Sequence, residues 1–244
     1  MPLPARDAIP IKEHTRAPDH RRGCRHTGLM FETLVDLASR PEVRRVLEIG
    51  STDGRGSTMA LREGLEKNPN FPDVELFCIE AVKEMFTVLE KNAAPYQMCF
   101  RVCSSPPEEH YTDVEIERFF RDDWPKAPFE TPAQRQDTAW HKRERDRYNA
   151  YFIRERLDLD GVNTIKKKFG VKHFDLALLD GGTYSGWSDW KRIYGAKYLV
   201  FDDIHTLKCI WVFRQMQADP AYELIMHKPC TEAHFGYAAF RRIA

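Results

Sequence analysis

The chain has 244 residues, enough for one α/β domain with its own core or for a core domain carrying an insertion. Its 37 basic and 37 acidic side chains cancel, so no net field favours a polyanion, and nucleic acid is disfavoured as a partner. No apolar run approaches membrane-span length, and the N-terminal segment "MPLPARDAIPIKEHTRAPDHRRGCRH" has prolines and charges without the apolar centre of a signal peptide.

In chain order, residues 1–26 read as an extended arm and residues 27–244 as the folded domain. "TGLMFETLVDLASR" spaces Leu29, Met30, Leu34, Leu37 and Ala38 as one face of a helix, with Thr27 as its cap. "RRVLEIG" is a strand, "GSTMALREGLEKN" a helix, "VELFCIE" a strand, "AVKEMFTVLEKNA" a helix and "YQMCFRVC" a strand. That βαβαβ order predicts a Rossmann-like doubly wound α/β sheet, mostly parallel. Residues 104–168 are too charged and too long for a simple crossover and read as a helical insertion, with helices over 113–121 and about 133–157. The sheet resumes with "FDLALLD", a helix over 186–193, "AKYLVFDD", a helix over 206–218, and "YELIMHK" with "YAAFRRI" as a C-terminal antiparallel hairpin.

Cysteines at 24, 78, 99, 103, 209 and 230 form no CxxC pair and fall partly within strand-like runs, which predicts reduced, buried thiols and a cytoplasmic setting.

Three strand ends carry chemistry. The loop "LEIGSTDGRGS" places Glu48, Gly50, Ser51, Gly54, Gly56 and Ser57 between a strand and a helix, where glycines admit a ligand to the backbone. Its GxxxGxG spacing is neither the dinucleotide fingerprint nor a phosphate-binding loop. Taken alone, it is also what a tight turn in any α/β protein looks like. Glu80 closes the second strand, where an acid accepts ribose hydroxyls or favours the following helix N-terminus. Asp180 closes "FDLALLD", and Asp202 with Asp203 close the next strand. Three carboxylates from neighbouring strand ends would converge and repel unless a hard cation sits among them, and an all-oxygen set suits magnesium or manganese. The competing reading has Asp202 or Asp203 capping the next helix while Asp180 binds backbone amides.

These motifs together resemble those of class I S-adenosylmethionine-dependent methyltransferases. Glu48, Gly50, Gly54, Gly56 and Ser57 look like their first motif, and Glu80 like their ribose-binding acid. The block "LLDGGTYSGWSDWKRIYGAKYLVFDDIH" is similar to the metal-dependent O-methyltransferases that modify small molecules and sugars. The resemblance covers roughly residues 27–103 and 171–243, leaving the arm and the insertion unmatched. It implies S-adenosyl-L-methionine held by Glu48, Gly50, Ser51, Gly54, Ser57, Glu80 and Asp180, and Mg2+ or Mn2+ held by Asp180, Asp202 and Asp203. The acceptor would be the hydroxyl of a small molecule or glycan.

The base usual after the strand-end aspartate is absent, since Gly181, Gly182 and Thr183 stand there. His205 is a candidate because imidazole titrates near neutrality, although a helix-start histidine bonded to backbone fits equally; Asp180 or Asp203 are others. Two alternatives stay open: a metal-free methyltransferase acting on RNA or protein, and a catalytically silent cofactor-binding scaffold. Tyr184, Trp187 and Trp190 are candidate acceptor-pocket residues, and the "RHTGLMF" segment with Met30 a candidate cover. "HKRERDRYNAYFIRER" reads as a solvated, self-paired helix and "IKKKFG" as a solubilising turn. Oligomeric state is left open, a homo-oligomer included.

Overall fold

The central strands are near-continuous apolar runs whose successive side chains point to opposite faces, so both faces of the sheet call for helices. The computed structural model, which describes residues 28–124, 137–230 and 235–244, is built in this way. The arm, the expected Thr27 cap and Cys24 lie outside the described residues. Strands β1 (Arg45–Ile49), β2 (Glu75–Ile79), β3 (Gln97–Phe100), β4 (Leu176–Leu179), β5 (Tyr198–Asp202), β6 (Tyr222–Lys228) and β7 (Tyr237–Arg242) form a seven-stranded sheet in the order β3-β2-β1-β4-β5-β7-β6. The first five are parallel; β7 runs antiparallel between β5 and β6.

One face packs α1 (Leu29–Ala38), α2 (Ser57–Glu66) and α3 (Lys83–Lys91) over Val46, Leu76, Leu178 and Val200. The other packs α6 (Gly161–Phe169), α7 (Gly186–Ile193) and α8 (Ile210–Ala218) over Leu47, Phe77, Leu179 and Phe201. Met30 is 8% exposed within the first of these cores, so it packs under the sheet and does not cover the strand ends.

Between β3 and β4 lie α4 (Asp113–Arg118) and α5 (Thr138–Arg154); α4 and its flanks bring Tyr111, Ile116 and Phe119 into a small core with Tyr184, Leu207 and Ile210. A capping box starts α4: Thr112 Oγ1 accepts the Glu115 N–H, and Glu115 Oε2 accepts the Thr112 N–H. The helix then loosens into a π-helical turn, Phe119–Asp123, which carries it two residues past the expected 113–121 span. Asp137 caps α5, so that helix starts later than residue 133.

"IKKKF" is the last part of α6 and not a turn: Val162 and Ile165 bury in the sheet's core, and Gly170 at φ 63 ends the helix. By its packing α6 is the β3-to-β4 crossover, within the span read as insertion. The α5 cations pair with α4 as well as locally, Arg145 reaching Asp113 at 2.8 Å and Lys142 reaching Glu117. Arg192 of α7, 8% exposed, grips Glu109 through two bonds of 2.9 and 3.0 Å and Asp160 through one of 2.5 Å, tying both flanks of the inserted segment to the sheet's helical layer.

Among the described residues no helix is long and apolar enough to cross a membrane. Of the described cysteines, Cys78, Cys103 and Cys209 are buried free thiols and Cys99 a half-buried one.

Candidate active site

The strand order reverses between β1 and β4, and ligands of open parallel sheets collect at such a switch point, beyond the strand C-termini. A cavity of about 370 Å³ lies there, lined among others by Gly50, Thr52, Glu80, Ser104, His110 and Asp180. Its size falls in the range of small-molecule sites. Gly50, at φ 92, could not carry a side chain, because a Cβ would stand 2.3 Å from the Asp180 carbonyl oxygen. Two strand ends therefore meet backbone to backbone in the floor of the cavity. Thr52 next to it is also held in the left-handed region, at φ 49.

Glu80 reaches this cavity from the end of β2. Its Oε2 accepts the Thr52 N–H at 2.9 Å and its Oε1 the Val82 N–H at 2.7 Å. Loss of water around it outweighs these bonds and raises its carboxyl to about 7. Glu48 behaves differently. It is wholly buried on the other face of β1, accepting hydroxyls from Ser57 at 2.7 Å and Thr58 at 2.6 Å. Burial pushes its carboxyl above the usual range. Of the residues the sequence nominated for the cofactor, Gly50, Glu80 and Asp180 line the cavity, whereas Glu48, Ser51, Gly54 and Ser57 do not. Glu48 and Ser57 instead fasten α2 to β1.

A second cavity of about 300 Å³ adjoins the first and shares Tyr148, Thr183 and Tyr184 with it. Its other walls are aromatic, with Phe119, Phe120, Trp124 and Trp140, and polar, with His141, Glu144 and Asp203. Tyr184 Oη and His141 Nδ1 lie 3.1 Å apart across it. Trp187 and Trp190 line neither cavity. Their rings meet at 4.8 Å, tilted by 43°, and Trp190 Nε1 donates to Met216 Sδ of α8. His205 lines neither cavity as well; its ring lies 6.2 Å from Phe213 and 6.4 Å from His227, and burial lowers its pKa.

Strand register explains the acidic cluster. Leu179 pairs with Phe201, so Asp180 and Asp202 come out side by side, and Asp203 follows in the left-handed region at φ 57. Asp180, Asp202 and Asp203 each bring a carboxylate oxygen within 4.8 Å of the others. A cation already stands among them: Lys208 Nζ is 2.7 Å from Asp180 Oδ1 and 2.8 Å from Asp203 Oδ2. The Lys208 side chain is 6% exposed. Its three carboxylate neighbours keep the ammonium protonated well beyond its usual range despite burial. Asp180 is pushed upward by loss of water and by the charge of Asp203, and Asp202 further, by loss of water and by the charges of Asp180 and Asp203. The donor set thus has the oxygen chemistry of a magnesium site, but the ammonium takes up the bonding positions a divalent ion would need at about 2.0–2.1 Å. As arranged, these residues do not fit the metal.

Sequence reasoning missed Lys208, which falls inside the span read as a helix over 206–218. That helix starts only at Ile210, and residues 206–209 form a turn that carries Lys208 back to the strand ends. It also missed His110, Tyr148 and Phe152 of the first cavity, because nothing in the inserted segment's pattern says which of its faces meets the sheet.

No protein-family model matches the chain, and no curated protein matches it. Among solved structures the chain is similar to cofactor-bound Rv0187 from MTB, with a TM-score of 0.51 and 14% identity over 88% of this chain and 80% of that one. It is also similar to an O-methyltransferase from Bacillus cereus in complex with SAH, with a TM-score of 0.47 and 12% identity over 87% of this chain and 79% of that one. SAH-bound methyltransferase PaMTH1 from Podospora anserina has a TM-score of 0.45 and 14% identity over 88% of this chain and 76% of that one. The shared property is the fold, a Rossmann-like, mostly parallel sheet flanked by helices.

Proposed function

We propose that this chain transfers a methyl group from S-adenosylmethionine to a hydroxyl of a small molecule or glycan. The observation that carries the reading is the pair of adjoining cavities at the switch point, one with a buried carboxylate placed for a ribose and the other walled by aromatic rings. The residues of the first cavity fit the cofactor: Glu80 is fixed by two backbone amides, and Gly50 removes the side chain that would fill the floor. When bound, S-adenosylmethionine supplies an electrophilic methyl on a sulfonium, which leaves as a thioether.

The chain's own residues bind and orient. Glu80 accepts the ribose hydroxyls. Tyr148, Thr183 and Tyr184, common to both cavities, set the distance between donor and acceptor, which is where a methyl transferase gains most of its rate. The aromatic walls hold a flat acceptor or the apolar face of a sugar ring. The oxygen–carbon bond forms as the sulfur–carbon bond breaks, and the hydroxyl proton passes to Asp203, the carboxylate of the cluster that lines the acceptor cavity. His205 lines neither cavity and takes no part in this scheme. No step is routed through Mg2+ or Mn2+. The Lys208 contact favours the metal-free arm of the alternatives, with a small acceptor in place of RNA or protein.

The test is calorimetric titration with S-adenosylhomocysteine, followed by transfer of labelled methyl to a panel of phenols, catechols and glycans. Binding with turnover on at least one hydroxyl acceptor is expected. Absence of nucleoside binding would remove the reading, and binding without turnover on any acceptor class would favour the silent scaffold.

A further inference from the structure

We infer that Lys208 is a built-in cation that takes the place of a divalent metal in the Asp180, Asp202 and Asp203 cluster and positions Asp203 towards the acceptor cavity. The cluster part stands on geometry alone; the positioning of Asp203 rests on the transfer reading above.

Two bonds place the ammonium, at 2.7 Å from Asp180 and 2.8 Å from Asp203, and these are charge-assisted distances. The backbone that carries it is held from several sides. The Lys208 carbonyl lies 1.7 Å from where a Cβ on Gly186 would be, so only glycine at the start of α7 lets the turn approach. Tyr111 Oη donates to the same carbonyl at 3.4 Å, and the Lys208 N–H donates to Thr206 Oγ1 at 3.2 Å. Asp203, turned back at φ 57, meets the ammonium with Oδ2 and lines the second cavity. A side chain delivered from so closely packed a turn is a fixture of the site and not a passing surface contact.

The consequence is chemical. A divalent ion binding these carboxylates would have to expel a buried ammonium from the same oxygens, leaving that charge without a partner. The chain instead neutralises the strand ends with its own side chain, and the acceptor hydroxyl meets a carboxylate oriented by lysine.

The experiment uses the full chain, stripped with chelator, saturated with S-adenosylhomocysteine and titrated with Mn2+, bound ion being read by electron paramagnetic resonance. Wild type is expected to show no Mn2+ site tighter than millimolar. Lys208→Met is expected to gain one at least tenfold tighter, and Lys208→Met with Asp202→Asn to lose that gain. A tight wild-type site abolished by Asp180→Asn would overturn the inference, as would a folded Lys208→Met that binds no Mn2+. Should Lys208→Met fail to melt cooperatively, the wild-type titration against Asp180→Asn decides alone. For positioning, wild-type turnover is expected to survive EDTA, while Lys208→Arg lowers kcat with little change in acceptor KM; equal kcat would overturn that part. Failure to bind S-adenosylhomocysteine would count against the proposed function and leave the Mn2+ result standing.

Discussion

Glu80 Oε2 accepts the backbone N–H of Thr52 at 2.9 Å, so the carboxylate at the end of β2 braces the loop that follows β1. This bond links the two parts of the cofactor reading. Replacing Glu80 by Ala is expected to weaken S-adenosylhomocysteine binding by about 10- to 100-fold, the worth of charge-assisted hydrogen bonds, as read by calorimetry. Unchanged affinity would mean the ribose lies elsewhere.

The same carboxyl gives a pH signature. Burial raises its pKa in the folded chain to about 7, so its contribution to stability is full below the ordinary carboxylate range and is lost as pH rises through about 7. Ligand binding runs the other way, since a ribose needs the ionised acceptor. Without ligand, the melting temperature is expected to carry a falling component between the two pKa values, while S-adenosylhomocysteine affinity rises over the same window. Parallel trends would show that Glu80 does not face the ligand.

Gly50→Ala tests the meeting of β1 and β4. An added Cβ would strike the Asp180 carbonyl at 2.3 Å, in a backbone conformation that L residues avoid. The expected loss of stability is about 2–4 kcal/mol by denaturant unfolding, with loss of nucleoside binding. A variant of near wild-type stability would show that the two strand ends move apart easily.

Glu48 sits outside the cavity, and its substitution should separate folding from binding. Glu48→Ala leaves the buried Ser57 hydroxyl without this acceptor and Thr58 with only a long contact to the Ser51 carbonyl, and is expected to cost about 2–3 kcal/mol. Glu48→Gln, which keeps an acceptor, is expected to recover much of that, with S-adenosylhomocysteine affinity in the folded fraction little changed. A large affinity loss in Glu48→Gln would return this residue to the ligand.

On the acceptor side, Trp140→Ala is expected to raise the acceptor KM by roughly tenfold, from one lost aromatic wall, while leaving S-adenosylhomocysteine binding as it was. An effect on both ligands, or on neither, would argue against the second cavity as the acceptor site.

The sheet was legible because its strands are short apolar runs closed by a carboxylate or glycine; "RVLEIG" and "LALLDGG" give both the strand and its chemical end. Pairing of Leu179 with Phe201 then follows from adjacency, and with it the convergence of Asp180 and Asp202. Side-chain direction at a strand end was harder. Glu48 and Ile49 differ by one residue and face opposite sides, and only the cores formed by α2 and α6 decide which side holds the ligand. Lys208 was illegible for another reason. Its role depends on a turn at 206–209 in which Lys208 meets carboxylates 5 and 28 residues away, a relation that no local periodicity encodes.

Arg192 holds Glu109 and Asp160 on one guanidinium, at the entrance and exit of the segment that supplies most of the second cavity's aromatic walls. The segment is thus closed at its neck like a purse on a drawstring, and its interior can vary while the sheet beneath keeps its shape. On the proposed reading, selectivity for the acceptor and integrity of the fold are thereby lodged in separable parts of the chain, so that one can change by exchanging a module while the other is left alone.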